Sequence, residues 1–349
     1  MRELIVGLAL LLALGARLAA AAEPCAVGGS PGITELGVGP FTFPTGVVAA
    51  PDGAIWVAST FADQLVRVDP VSLATSVVSL PLRSHPIGLA ADTRGRIWFA
   101  ASGVGLVGRL TPGAARAAEF APPSLFGDVV VPPFVSAIAL GPAGGDAWFT
   151  LGPRSTVGSV AIAAEPIRRG SVVNEVSLGA GRGRPDAIAV AGDGAVWVTE
   201  IAEDALIRVG PDGRVERRLL PSGSQPRGVA VGPDGGVWVA LFGRHELLRL
   251  RPGTGRMQTW TMPSGSLSHP WALVIDTAGG VWTSEFTANT LACFDAGRER
   301  FTVWPVPTRG AGVRALAVDG RGRVWFVGSY SGRLGLVGPS GPHGTMSAR

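Results

Sequence analysis

Seven copies of one short pattern run through the chain and limit its possible folds more than any other feature. Each copy opens with a small residue and an apolar run, passes through a tight turn containing Gly, and ends in an apolar residue and Trp. Neighbouring tryptophans are 41 to 50 residues apart, and the seven are Trp56, Trp98, Trp148, Trp197, Trp238, Trp282 and Trp325. Strand-forming repeats of this length are typical of a β-propeller.

Each repeat divides into four strands. In the first repeat they are predicted at residues 46–50, 54–58, 64–69 and 76–80, with a Pro-Asp-Gly turn between the first two. An Asp-Gly pair between two apolar runs indicates a hairpin. Small and branched residues on the first strand suit a crowded position near a central axis.

The two ends of the repeat region complement each other. The last repeat supplies three strands, at 314–318, 323–327 and 333–337, whereas residues 33–38 resemble the outer strands of the other repeats. We therefore predict an all-β, seven-bladed propeller of four-stranded blades, with the N-terminal strand completing blade seven. Pairing at this point removes a sheet edge and latches the ring.

Composition excludes two classes of protein. With 46% hydrophobic and 16% charged residues, the chain is not disordered. The net charge is +4, every basic residue is Arg, and the arginines are scattered. Since no basic cluster follows the chain, we predict no nucleic-acid partner.

The N-terminal segment has the composition of a signal peptide, with an early charge, a short apolar run and small residues before Glu23. The apolar run is too short for a membrane span. We predict cleavage near Ala22, a secreted or periplasmic protein without a stable membrane span, a propeller over 23–338 and a flexible tail over 339–349.

Two cysteines, Cys25 and Cys293, remain after this processing. An oxidising compartment allows them to pair, and the predicted latch brings Cys25 near the blade that holds Cys293. Two separate thiols, with Cys293 buried as a small hydrophobe, are the alternative.

Two rings of side chains are expected at the mouth of the central funnel, because strands one and two of a blade are antiparallel and joined by a tight turn. The first ring precedes each opening small residue and consists of Thr45, Ile87, Ser136, Asp186, Arg227, Trp271 and Arg314. The second lies three residues after each Trp and consists of Ser59, Ala101, Leu151, Glu200, Leu241, Glu285 and Gly328. The charged and aromatic members of both rings lie in blades four to seven.

The two glutamates of the second ring allow three interpretations. Glu200 and Glu285 can hold a hard cation through their oxygens, or act as acid and base. They can also form a solvated ion network in which Arg227, from the blade between them, neutralises both.

Two histidines and one tryptophan are further candidates. His245 is predicted in a loop on the same face, and His269 precedes Pro270 at the mouth. A His-Pro pair can instead cap the strand, since His85 holds the same place in blade two. Trp271 is either a stacking surface for a ring-bearing ligand or packing within a lid.

Two segments carry a family resemblance: 226–238, which reads PRGVAVGPDGGVW, and 193–200, which reads DGAVWVTE. They resemble repeats of the streptogramin B lyases, the virginiamycin B lyase family. The resemblance implies a seven-bladed propeller and a magnesium-dependent elimination that linearises a cyclic depsipeptide at its ester link. It also implies a histidine base directly after the proline at a blade's start, with glutamates near the metal.

This chain departs from that pattern at the position of the catalytic base. The residues that follow these prolines include Thr45, Ile87, Asp186, Arg227 and Trp271. His269, which precedes its proline, is therefore the candidate catalytic base, and Glu200 and Glu285 are the candidate Mg²⁺ ligands.

Three functions follow from these residues. The first is a magnesium-dependent carbon–oxygen lyase acting on a cyclic depsipeptide or a similar ester. The second is a non-catalytic, monomeric propeller that binds a small molecule, peptide or protein through Asp186, Arg227, Trp271, Arg314 and His245. The third is a metal-dependent hydrolase similar to the regucalcin-like sugar lactonases.

Overall fold

The computed structural model describes residues 23–25, 31–39, 42–114, 116–122, 134–142, 145–152, 155–164, 173–179 and 183–339. The predicted signal peptide, 1–22, and residues 340–349 of the predicted tail lie outside the described residues.

Within this part of the chain, 28 strands form seven antiparallel sheets of four strands each. Blade one consists of β2 (Pro44–Ala49), β3 (Ile55–Ser59), β4 (Gln64–Val68) and β5 (Thr75–Ser79). Blade two consists of β6 (Pro86–Ala91), β7 (Ile97–Ala101), β8 (Leu106–Leu110) and β9 (Ala118–Phe120). Blade three consists of β10 (Phe134–Leu140), β11 (Asp146–Gly152), β12 (Thr156–Ala161) and β13 (Val173–Ser177).

The later blades repeat this order. Blade four consists of β14 (Pro185–Val190), β15 (Val196–Glu200), β16 (Ala205–Val209) and β17 (Val215–Leu219). Blade five consists of β18 (Pro226–Val231), β19 (Val237–Leu241), β20 (Glu246–Arg251) and β21 (Arg256–Thr261). Blade six consists of β22 (Pro270–Ile275), β23 (Val281–Glu285), β24 (Thr290–Asp295) and β25 (Arg300–Pro305). Blade seven contains β26 (Val313–Val318), β27 (Val324–Gly328), β28 (Arg333–Pro339) and β1 (Pro31–Gly37).

The seven-bladed propeller and its N-terminal latch are confirmed. β1 pairs antiparallel with β28 over seven residues, from Pro31 opposite Pro339 to Gly37 opposite Arg333. The outer edge of blade seven is therefore supplied by a strand from the other end of the chain, which closes the ring.

The tryptophans join neighbouring blades. Trp56 shares a buried cluster with Ile97 and Phe99 of blade two, and Trp325 shares one with Ile55 and Val57 of blade one. The second strand of a blade is covered on both faces, and in six blades all five of its residues are buried. An indole fills the space between two sheets that no smaller side chain spans.

A disulfide adds a second closure beside the latch. Cys25 and Cys293 are bonded, with their Cα atoms 5.6 Å apart, and Cys293 is fully buried in β24. The backbone N–H of Cys25 also donates to Asp276, 3.3 Å away. The segment preceding β1 is thereby tied to blade six, next to the blade that β1 completes.

No helix among the described residues is long and apolar enough to cross a membrane.

Breaking the disulfide should loosen the closure of the ring. We expect Cys25→Ser to lower the free energy of unfolding by about 2–5 kcal/mol, because the bond closes a long loop in the unfolded chain. Denaturant unfolding with and without a reductant checks this. Reductant should destabilise the wild type and leave the variant unchanged. An equal effect on both would contradict the expectation.

Candidate functional site

A register break marks the start of all seven inner strands and sets the first ring of side chains. In β18 the ladder to β19 is interrupted between Pro226 and Val229, and in β22 the ladder to β23 is interrupted between Pro270 and Leu273. The breaks contain every predicted member of the first ring: Thr45, Ile87, Ser136, Asp186, Arg227, Trp271 and Arg314. A bulge frees a residue from the ladder and re-aims its side chain.

Hydroxyl groups support these bulges. The N–H of Ala187 donates to Thr199 Oγ1, and the N–H of Ala272 donates to Ser284 Oγ, both at a distance of 3.1 Å. Thr199 in turn donates to the carbonyl of Arg227, 2.8 Å away, in the next blade. The backbone groups freed by the bulge are thus satisfied, and the ring position is fixed relative to its neighbour.

Four ring members of blades four to seven form a contiguous row. Arg227 Nη1 lies 3.2 Å from Asp186 Oδ1. The guanidinium carbons of Arg227 and Arg314 lie 4.1 Å and 5.0 Å from the centre of the Trp271 ring. The predicted ion network was wrong on this point, because Arg227 pairs with Asp186 and not with Glu200 or Glu285.

The second predicted ring lies inside the propeller wall. Glu200 and Glu285 end β15 and β23, and both are fully buried. Sheets on either side cover these strands, so a residue within the strand does not reach the mouth. The expectation that this ring lines the funnel was therefore wrong.

Each buried glutamate already has partners for its oxygens. Glu285 accepts from the backbone N–H and hydroxyl of Ser264, at 3.0 Å and 2.9 Å, and from the Thr290 hydroxyl at 2.6 Å. Glu200 Oε1 accepts a hydrogen bond from the Ser155 hydroxyl, and Oε2 lies 2.8 Å from Arg217 Nη2 in an ion pair but has no hydrogen-bond partner.

These contacts do not fit a Mg²⁺ site as they stand. An ion bound by either carboxylate would have to displace a hydroxyl, an N–H or a guanidinium. Among the described residues, no group of three or more His, Cys, Asp or Glu side chains is placed to hold a metal. Gly183 lies so close to Glu200 that a side chain at this position would collide with the Glu200 carboxylate.

The mouth is instead built from aromatic residues that follow the second strands. Phe242 and Phe286 come directly after β19 and β23, and Phe61 and Tyr330 come two residues after β3 and β27. Sequence reasoning missed them because it placed the ring three residues after each Trp. An aromatic residue four or five positions after the Trp was the available signal.

Nine rings form one continuous series, which we call the aromatic arc. Neighbouring ring centres are 4.5 to 6.4 Å apart, in the order His85, Phe61, Phe43, Tyr330, Phe286, Trp271, Phe242, His269 and His245. Phe61 and Tyr330 are 65% and 59% exposed. Such exposed rings beside one another are typical of binding surfaces. Trp271 stacks on Phe286, with ring centres 5.0 Å apart, and its predicted role as a stacking surface for a ligand stays a prediction.

His269 and His245 form one end of the arc. Their ring centres are 4.5 Å apart, and both Nδ1 atoms are buried without a hydrogen-bond partner. Burial lowers the pKa of His269, and the nearby charge of His245 lowers it further. His269 is therefore biased towards the neutral form that accepts a proton.

The capping interpretation of the His-Pro pair is also supported. The carbonyl of His269 accepts from the N–H of Phe286, and the carbonyl of His85 accepts from that of Ser102. Both histidines have left-handed backbones, with φ of 42° and 43°. The backbone role is shared by the two blades, whereas the facing histidine is a feature of blades five and six.

Burial at the mouth raises the pKa of the Asp186 carboxyl above its usual value. The positive charge of Arg227 opposes this effect without reversing it, and Arg184 and Arg314 add smaller contributions of the same sign.

A second concave surface lies at the opposite end of the propeller, between blades four and five. This cleft of about 700 Å³ is bordered by turns at Asp193 and Asp234. Its charges are balanced internally: Arg208 lies 3.2 Å from Glu216 and 3.8 Å from Asp193. The funnel mouth, with fewer neutralised cations and a continuous aromatic lining, is the stronger candidate site.

A model of the virginiamycin B lyase family matches residues 135–343. The chain belongs to this family. No curated protein matches it. The match covers blades three to seven, which include the row from Asp186 to Arg314.

Solved structures share the fold of this family member. A streptogramin B lyase is 21% identical, with a TM-score of 0.78 over 88% of this chain and 97% of that one. Virginiamycin B lyase from Staphylococcus aureus is 20% identical, with a TM-score of 0.78 over 88% of this chain and 99% of that one. A catalytically inactive His-to-Ala variant of the latter, with quinupristin, is 19% identical, with a TM-score of 0.76 over the same shares.

Asp186→Asn should gain stability relative to the wild type as the pH rises. The folded protein holds the Asp186 proton more tightly than the unfolded chain does, so protonation of Asp186 stabilises the fold of the wild type. This stabilisation is lost as the pH rises from the ordinary pKa of 3.8 through the raised pKa of the folded state. Asparagine does not titrate. Melting temperatures of both proteins between about pH 3 and pH 7 give the difference.

Asp193→Asn, an exposed site at the opposite end, is the control. If the melting temperature of Asp186→Asn instead falls relative to that of the wild type as the pH rises, the ion pair with Arg227 outweighs the effect of burial.

Proposed function

We propose that this member of the virginiamycin B lyase family is an exported, monomeric protein that binds a small-molecule or peptide ligand with aromatic groups at the funnel mouth. The aromatic arc is the observation that carries the proposal. Flat, partly exposed rings supply contact area at little entropic cost, and concave surfaces lined by them favour ring-bearing ligands.

The arc and the fold together support one kind of ligand. A structure with the same fold contains quinupristin together with a virginiamycin B lyase variant. We propose that this chain binds a peptide-like ligand of that sort, with its rings against Trp271 and Phe242 and its polar groups near Asp186 and Arg227.

Export is part of the proposal. It is supported by the composition of residues 1–22 and by the disulfide between Cys25 and Cys293. Disulfides persist in secreted and periplasmic proteins and are rare in reducing compartments.

Magnesium bound by Glu200 and Glu285 stays a prediction. No step of the proposed function uses it, because both carboxylates are buried and already interact with neighbouring side chains.

Trp271→Ala should weaken binding of a type B streptogramin about tenfold or more, because it removes the ring at the centre of the arc. Isothermal titration calorimetry on the purified mature chain measures the affinity. Phe134→Ala is the matched control, since Phe134 is an exposed aromatic residue of blade three outside the arc. Unchanged affinity in the folded Trp271 variant, or equal loss in both, would refute the arc as the binding surface.

A carbon–oxygen lyase is the second candidate, and the His245–His269 pair favours it. In such an elimination a base removes a proton next to a carbonyl and a carbon–carbon double bond forms. The carbon–oxygen bond breaks, and its electron pair leaves on the carboxylate. His269, whose lowered pKa favours the neutral imidazole and whose ring lies 4.5 Å from that of His245, is the proposed base.

If the lyase proposal is right, the protein converts a type B streptogramin into a product of unchanged mass and altered retention time. His269→Ala should lower the rate at least about 100-fold, the usual contribution of a general base. Asp193→Asn, at the opposite end of the propeller, should retain it. The acid limb of the pH–rate profile should lie below the ordinary histidine value of 6.5.

Absence of conversion by the folded protein, with or without Mg²⁺, would leave the binding function alone. Loss of conversion on chelation would support the predicted magnesium.

A further inference from the structure

The funnel mouth carries more positive charge than its side chains neutralise. Asp186 lies within electrostatic range of three guanidinium groups, those of Arg227, Arg184 and Arg314. Its ion pair is made with Arg227. Among the described residues, Arg314 has no carboxylate within 4.0 Å, and its polar partner is the hydroxyl of Tyr330 at 3.1 Å.

Aromatic rings hold Arg314 in place. Its guanidinium carbon lies 5.3 Å from the centre of the Phe43 ring, 5.0 Å from Trp271, 5.6 Å from Phe286 and 5.4 Å from Tyr330. Cation–π contacts orient a guanidinium while leaving N–H groups at its edge free to donate. The Nε of Arg314 is buried and has no hydrogen-bond partner.

Arg227 supplies a second guanidinium against the same tryptophan. Its carbon lies 4.1 Å from the Trp271 ring centre and 5.5 Å from that of Phe242. Its Nε is likewise buried and unpartnered. Trp271 is therefore contacted by two cations from neighbouring blades, and of these Arg227 forms the ion pair with Asp186.

We propose that the funnel mouth is specific for a ligand that carries a free carboxylate next to an aromatic ring. The carboxylate accepts from Arg314, in the planar two-bond geometry that guanidinium groups favour, and the ring lies against the aromatic arc. A singly charged carboxylate balances the charge of Arg314, one of the two nearby guanidinium groups that do not share the ion pair of Asp186 with Arg227. The inference rests on the proposed function, since both place the ligand on this face.

Matched pairs of probes test the charge preference. Indole-3-acetate and indole-3-acetamide have the same ring and nearly the same shape, and they differ in one negative charge. We expect calorimetric titration of the full mature chain to give an affinity at least about tenfold higher for the acid than for the amide. Raising the ionic strength should reduce this ratio.

Variants locate the preference at Arg314. Arg314→Gln should remove the difference between acid and amide, whereas Arg314→Lys should retain part of it. Arg256→Gln is the matched control, because Arg256 is an exposed arginine at the start of β21, away from the mouth. Melting temperatures of all three variants confirm folding.

Two results would overturn the inference. The first is equal affinity for the acid and the amide, which includes the case in which the folded protein binds neither. The second is a preference for the acid that persists in Arg314→Gln. Failure of the streptogramin to bind while the acid binds would refute only the peptide ligand. Binding of the streptogramin without any preference for the acid would refute only the carboxylate.

Discussion

The bulge at the start of each inner strand is the feature on which the site depends. It takes one residue per blade out of the ladder, while hydroxyl groups such as those of Thr199 and Ser284 bond the freed N–H groups and link them to the next blade. Without the bulge, Arg227 and Trp271 would lie within the ladder between neighbouring sheets. The geometry of the mouth is therefore set by backbone hydrogen bonds, and its chemistry by the side chains at the bulges.

Closure of the ring keeps these positions in a fixed arrangement. The pairing of β1 with β28 and the disulfide of Cys25 with Cys293 act on blades seven and six, which also carry Arg314 and Trp271. Loosening either closure would change the spacing between the two residues. The stability of the ring and the shape of the mouth are thus linked on the same side of the propeller.

Most of the fold followed from the sequence, because seven tryptophans at a nearly constant offset require seven equivalent units. The first ring followed for the same reason. Glu200 and Glu285 were misplaced because both faces of a second strand are covered, so a carboxylate there is buried wherever it points. The partners that bury it, Ser264 and Arg217, come from other parts of the chain, and their contacts have no periodicity to detect. Phe61, Phe242, Phe286 and Tyr330 were missed by one or two residues of register.

The bulges also separate the backbone contacts that hold a blade together from the side chains that it presents at the mouth. Because a bulged residue makes no ladder contact, its side chain can be exchanged without altering the backbone ladder of the blade. Thr45, Ile87 and Ser136 occupy the same kind of position as Arg227 and Trp271, yet they carry little chemistry. The propeller therefore offers seven equivalent positions, of which the four in blades four to seven contact one another. Blades one to three are the natural place to engineer a new specificity while the arc and its arginines stay intact.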